Sequence, residues 1–462
     1  MEQPLKVGLA GLGTVGASVL RLLDRHASAL ADRCGRAVVV TAVSARDRSR
    51  GRGVDLSGFA WYDDPVALAR EADIDVFVEV IGGDSGPAAE AVRAALARGL
   101  PVVTANKALL ARDGVALARL ADEKGVAIGF EAAVAGGIPI VRTLREALVG
   151  NAISRVYGIL NGTCNYILTR MEREGLDFAT CLAEAQRLGY AEADPTFDVE
   201  GFDTAHKLSL LTALAFSTEV DADQIHIEGI SAITPADIEA ADELGYRIKL
   251  LGVASRTESG IEQRVHPTMV PKSSAIARID GVLNAVAVDA DAVGEIVLVG
   301  PGAGGEATAS SVVADLADVA AGRSLPTFGR PVARLSPYKP ARMRRHAGGY
   351  YVRLMVRDRP GAFATVAARM AEHGISLEKI DRAAPPCAAR RCAGRDGAVG
   401  RPAGDPDHLR DDRAGDPRRA GGDRRRGGGG RHAADDPHRE ARLSRAKRLH
   451  DPRNQLTNPG DR

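Results

Sequence analysis

The feature that narrows the fold most is a glycine-rich turn at the N-terminus. Residues 5–10 (LKVGLA) form a short apolar, β-branched run, and Gly11, Gly13 and Gly16 follow as GxGxxG. A helical pattern, VGASVLRLLDRHASAL, opens on the last of these glycines. Strand, glycine turn and helix in that order are the context in which backbone amides at a helix N-terminus can approach a pyrophosphate, with Thr14 and Val15 inside the turn. A second strand, AVVVTAV, begins about thirty residues later, which is βαβ spacing. The apolar runs Val76–Ile81 and Leu100–Thr104, with the helical PAAEAVRAALARG between them, continue the alternation. The expected architecture is α/β, a Rossmann-type doubly wound parallel sheet.

The second strand ends Ser44-Ala45-Arg46-Asp47. Arg46 can pair with a ribose 2′-phosphate, which leans toward NADP, while Asp47 could accept the 2′-hydroxyl of NAD; the sequence leaves both open. Lys107, in PVVTANKALLA, falls just past the carboxyl end of a strand, where open α/β sheets bind ligands. It could orient a carbonyl or hydroxyl beside a nicotinamide; otherwise it is a surface lysine at a loop.

From about Ala132 the pattern changes to helices separated by more polar strands, the mark of a second, α+β domain. Its richest stretch is GYAEADPTFDVEGFDTAHKLSLL, which gathers Glu192, Asp194, Asp198 and Asp203 ahead of Lys207. Asp203 and Lys207 lie four apart on a helical pattern and share a face. That helix continues as the apolar LSLLTALAF, and charge on a mostly buried element is costly and usually purposeful. Cys164 in GILNGTCNYIL is the one thiol with a case as a covalent nucleophile, against a role as a small buried hydrophobe.

The chain has 462 residues, 45% of them hydrophobic, enough for two or three domains with real cores. Five cysteines without a CxxC pair indicate neither a disulfide framework nor a structural zinc site, and suggest a reducing cytoplasmic setting. No signal-peptide layout opens the chain and no run is long enough for a membrane span, so neither membrane nor nucleic acid is an expected partner. The net charge of +1 hides an asymmetry. From Arg382 onward about 20 Lys plus Arg face about 12 Asp plus Glu, leaving the preceding part acidic. Residues 381–462 hold no Phe, Tyr, Trp, Ile or Met and should be disordered. A basic nucleic-acid-binding arm is one reading of this tail. Its Arg, Pro, Gly and Ala bias, beginning directly after a good strand pattern, is better matched by a GC-rich gene translated in the wrong frame.

Taken together, GLGTVG, VEVIGG, VVTANKALLA, FEAAVAGGIPI, NGTCNYIL, GYAEADPTFDVEGFDTAHKL and VGPGAGGEATASSVVAD resemble the homoserine dehydrogenase family, in register over roughly the first 340 residues. The segment 350–380, a strand-loop-helix-strand pattern, is similar to the first half of an ACT regulatory domain. The resemblance implies a NAD(P)-binding domain at 1–131, completed by about 305–330, and a substrate-binding and dimerisation domain at 132–304. A partial ACT domain at 350–380 and the tail at 381–462 would follow.

The implied activity is reversible NAD(P)-dependent interconversion of L-homoserine and L-aspartate 4-semialdehyde, on the route to threonine and methionine. By the same resemblance Lys207 is the acid/base, with Asp203 and Lys107 beside it. Glu192, Asp198, Asp203 and Gly189 would form the substrate site. Gly11, Gly13, Thr14, Val15, Gly16, Arg46, Lys107, Gly302 and Gly304 would meet NADP or NAD. A monovalent cation, usually sodium, would be held by the Glu131 region and main-chain oxygens of Val134, Gly136 and Ile138. The family is commonly homodimeric or homotetrameric. Two rival readings remain: another Rossmann-fold oxidoreductase using Cys164 covalently, and a non-enzymatic amino-acid sensor. An ACT segment without its closing strands should leave the enzyme insensitive to threonine.

Overall fold

The computed structural model describes residues 3–341, 349–357, 359–378 and 380. The readings of the tail therefore lie outside the described residues. The chain separates into two units, 1–358 and 359–462.

The first sheet of unit 1 contains β1 (Leu5–Ala10), β2 (Val38–Ser44), β3 (Ala60–Tyr62), β4 (Val76–Glu79), β5 (Val102–Thr104) and β6 (Ile128–Gly129). All pairs are parallel, in the order β3-β2-β1-β4-β5-β6. The central β1 and β4 are nearly all buried because both sheet faces are covered, which is why these strands read as continuous apolar runs. The strand order reverses between β1 and β4, and the glycine turn lies at that switch point. Helix Thr14–Arg25 leaves the turn and packs against helix Gly305–Ala320 through Val19, Leu23, Val312 and Leu316. An Arg25–Glu306 ion pair, 3.1 Å, spans the same contact.

The second sheet contains β7 (Ile153–Ile159), β8 (His226–Ile227), β9 (Tyr246–Arg256), β10 (Ile261–Pro271), β11 (Leu283–Ala290) and β12 (Gly294–Pro301). Its order is β12-β11-β7-β9-β10-β8, antiparallel apart from β8 against β10. One face packs on helices Gly162–Glu174 and Phe202–Phe216 through Val156, Leu250, Ala254 and Val286. Alternate residues on the other face, among them Ile159, Leu251, Val270 and Ala285, form a smaller separate cluster.

In the helix-rich part after Ala132, residues 140–147 form only a short helical turn at Ile140–Arg142 followed by a π-helical turn at Thr143–Ala147. In the strand-loop-helix-strand pattern of 350–380, the helix forms at Ala362–Glu372, but residues 350–357 and 375–378 are not strands. A strand forms only where a neighbouring strand takes its hydrogen bonds, and none pairs with these segments among the described residues.

Candidate active site

Helix Phe202–Phe216 starts after Gly201, whose φ of +89° turns the chain sharply into the first turn. Twelve of its fifteen residues are buried, and they include Asp203 and Lys207. The Lys207 Nζ donates to Asp203 Oδ2 and to the Leu160 carbonyl, both at 2.7 Å. Lys107 Nζ approaches the other Asp203 oxygen at 3.1 Å. Asn161, at the end of β7, donates its amide to Asp203 Oδ2 at 3.0 Å and to Asp198 Oδ1 at 2.8 Å. Its Oδ1 caps helix Gly162–Glu174 by accepting from the Cys164 amide at 2.9 Å. Three sequence-distant segments therefore meet on one carboxylate.

Burial alone would raise the Asp203 carboxyl, but the Lys207 and Lys107 charges outweigh it and hold the group well below the usual carboxylate range. Asp198 shifts the opposite way, pushed up by burial and then by the neighbouring Asp203 charge. Asp203 is thus the fixed anion between two cations. Lys207 is buried and uses two of its three N–H donors on protein oxygens. Lys107 retains about a third of its side-chain exposure.

The other acidic residues of the motif are placed differently. Glu192 is exposed, and Asp194 accepts from the Thr196 amide in a local turn. Gly189 has φ +76° at the end of helix Phe178–Arg187, and the adjacent Tyr190 carbonyl accepts from the Thr163 hydroxyl at 2.6 Å. That bond ties the Gly189 loop to the start of helix Gly162–Glu174. Cys164 is fully buried. Burial and then the Asp198 charge push its thiol well up, and its Sγ donates to the Asp198 carbonyl at 3.2 Å. A thiol held this way is a packing and hydrogen-bonding group, so the covalent-nucleophile reading is set aside.

At the glycine turn, a Cβ on Gly16 would stand 1.9 Å from the Gly11 carbonyl oxygen, and one on Gly11, at φ +103°, would stand 2.6 Å from the Val80 oxygen. Gly13 differs. No atom lies within 4 Å of its would-be Cβ, and it is the N-cap of helix Thr14–Arg25, so open space lies before the free amides of that terminus. Arg46 is exposed at the end of β2. One Asp47 oxygen, Oδ1, accepts from the Ser49 amide at 2.8 Å and hydroxyl at 2.6 Å. Sequence reasoning passed over Arg52, whose Nε donates to the Leu12 carbonyl of the turn at 3.1 Å while its guanidinium, like that of Arg48, lies over Trp61.

The segment expected to hold a cation has much of its polar capacity engaged within the protein. Both Glu131 carboxylate oxygens accept backbone N–H groups, from Val141 and Arg142 at 2.8 Å each, so this side chain serves as a helix cap. The Gly136 carbonyl accepts from Ser311 at 2.6 Å and the Ile138 carbonyl from the Ile140 amide at 2.8 Å. No group of three or more His, Cys, Asp or Glu residues suited to a metal is present among the described residues. Gly136 packs against Gly302, where an added Cβ would lie 2.4 Å from the Gly302 oxygen, and Gly304 is the N-cap of helix Gly305–Ala320. The segment and the late glycine loop are therefore one packed unit.

A doubly wound sheet with a glycine turn at its switch point, together with two lysines held on one buried aspartate, defines an NAD(P)-dependent oxidoreductase. Comparison with known proteins narrows the class. Residues 11–131 match the NAD-binding domain of homoserine dehydrogenase and residues 139–317 match the homoserine dehydrogenase family proper. The chain belongs to the homoserine dehydrogenase family. The homoserine dehydrogenase of Pseudomonas aeruginosa is 47% identical over 384 residues, which is 82% of this chain and 88% of that one. The crystal structure of a homoserine dehydrogenase from Thiobacillus denitrificans superposes with a TM-score of 0.75 at 44% identity, covering 81% of this chain and 88% of that chain. A hyperthermophilic archaeal homoserine dehydrogenase in complex with NADPH aligns with a TM-score of 0.58 at 25% identity, over 68% of this chain and 97% of that one. Among the described residues no helix is long and apolar enough to cross a membrane.

Proposed function

We propose that the enzyme interconverts L-homoserine and L-aspartate 4-semialdehyde in the cleft around Lys207, with NADP preferred over NAD. The observation that carries the reading is the Lys107–Asp203–Lys207 cluster, a buried anion flanked by two ammonium groups. Nicotinamide, when bound, supplies the hydride acceptor or donor. The chain's own residues manage the charge and the proton at the substrate oxygen.

In reduction of the aldehyde, negative charge grows on that oxygen. The third N–H of Lys207 is placed to stabilise the charge and then to donate the proton. In oxidation the same amine takes the proton back. Asp203 keeps Lys207 fixed, and with Asp198 it presents acceptors to the amino group of the substrate. Lys107 orients the substrate from the sheet side. Gly189 and Glu192 would complete the substrate site from the loop that the Thr163–Tyr190 bond ties to the start of helix Gly162–Glu174. The 1–131 segment with the helix after Gly304 forms the cofactor domain, and 132–304 carries the substrate site.

The NADP preference rests on the exposed Arg46 at the end of β2, beside an Asp47 whose Oδ1 is engaged by Ser49. With purified enzyme, Arg46→Ala should lower kcat/KM for NADP about tenfold and leave NAD nearly unchanged; equal loss with both cofactors would refute the assignment. A monovalent cation such as sodium would be held through main-chain oxygens of Val134 and its neighbours, with Glu131 shaping the segment as a cap. We also infer a cytoplasmic homodimer paired through the second sheet. The half-buried Tyr157 and Val253, on its face away from the helices, support that surface. Light scattering at micromolar concentration showing only monomer would exclude it.

A further inference from the structure

We propose that Glu79 and Thr104 act as positioning residues that hold Lys107 in register with the glycine turn, an inference that rests on the reading of Lys107 given above. The two residues end β4 and β5 and stand opposite each other in the parallel ladder. Both are completely buried. One Glu79 oxygen accepts the Ile81 and Gly82 amides at 2.8 Å each, so the turn after β4 wraps around the carboxylate. The other accepts the Thr104 hydroxyl at 2.6 Å. Thr104 in turn accepts the Asn106 amide at 3.0 Å, and Asn106, the N-cap of the helix that Lys107 begins, donates to the Gly83 carbonyl at 2.7 Å.

The same turn after β4 meets the dinucleotide loop, since the Val80 carbonyl is the atom that leaves no room for a Cβ on Gly11. One side chain thereby joins the loop beside the glycine turn to the backbone that carries Lys107. Stability alone does not account for this choice. Accepting the Ile81 and Gly82 amides occupies only one carboxylate oxygen, and the other takes the Thr104 hydroxyl, a bond the turn itself does not require. The gain is geometric. Lys107 reaches Asp203 through a long, partly exposed side chain, and its backbone must be fixed for that reach to be reproducible.

The test is a double-mutant cycle in the full chain, with homoserine oxidation and thermal unfolding measured for Thr104→Val, Thr104→Ser, Lys107→Ala and Thr104→Val combined with Lys107→Ala. Thr104→Val should lower kcat/KM for homoserine about tenfold, and Thr104→Ser, which keeps the hydroxyl, should restore it to within about threefold. The double variant should be no worse than Lys107→Ala alone, because Thr104 acts through Lys107. Multiplying losses, or a serine variant as poor as the valine one, would overturn the inference while leaving the Lys107 reading intact. A silent Lys107→Ala would overturn both. If Thr104→Val does not fold, Asn106→Ser, which retains a capping oxygen but loses the bond to Gly83, takes its place in the same cycle with the same outcomes.

Discussion

Replacing Asp203 by Asn removes the charge at the centre of the cluster and changes little else in shape. Lys207 is left buried beside a neutral amide and the Leu160 carbonyl with no counter-charge, and Lys107 loses its ion pair. Breaking a buried ion pair from one side typically costs about 3–5 kcal/mol. Lys107 is a third exposed and contributes at the low end, so a loss of about 3 kcal/mol is expected at pH 7. For a domain of this size that lowers the unfolding midpoint by roughly 6–12 °C. The effect also has a pH signature. Asp203 titrates below its ordinary value of 3.8 in the folded enzyme, so its stabilisation is present above that value and is lost as pH falls through the lower folded one. The gap between wild type and Asp203→Asn should accordingly narrow below about pH 4. Turnover of homoserine should fall about a hundredfold, since a charge-assisted contact to Lys207 is lost. Thermal scans across pH with a nicotinamide absorbance assay give both readings. A variant that unfolds within 2 °C of wild type at pH 7 and keeps turnover within about threefold would refute this electrostatic account.

Three further outcomes follow from the geometry. Gly13→Ala should fold like wild type, within about 1 kcal/mol, yet raise the KM for NADP at least tenfold, whereas Gly16→Ala should fail to fold stably because its Cβ meets the Gly11 oxygen; circular dichroism and cofactor titration separate the two. Cys164→Ser should keep activity within about threefold, since serine can still donate to the Asp198 carbonyl, and abolished turnover would reinstate the thiol as a reactant. Threonine at millimolar concentration should leave homoserine oxidation unchanged, and inhibition would mean that residues 350–380 form a working regulatory site.

The parts of the fold readable in advance were those fixed by local pattern. The GxGxxG run, the buried parallel strands and the four-residue spacing of Asp203 and Lys207 each leave a periodic trace within one element. The pairing of Lys107 with Asp203 has no such trace, because it joins a strand end to a helix 96 positions further on. Asn161 reads as the start of an ordinary loop, and only the fold shows that its amide bridges Asp198 and Asp203. Glu79, in VEV, looks like a solvent-facing strand residue until both faces of β4 are seen to be covered. An acid three residues before the paired glycines of VEVIGG was the available hint, since such a turn exposes amides in need of an acceptor. Nor does local pattern announce that both Glu131 oxygens accept amides ten and eleven residues further on, at Val141 and Arg142.

The most direct test of the catalytic reading is steady-state homoserine oxidation with NADP by wild type and Lys207→Ala, with folding checked by circular dichroism. A wild-type enzyme that turns over and a folded variant at least a thousandfold slower is the expected pair of results. A folded Lys207→Ala variant with turnover within about tenfold of wild type would contradict the assignment of proton transfer to this lysine.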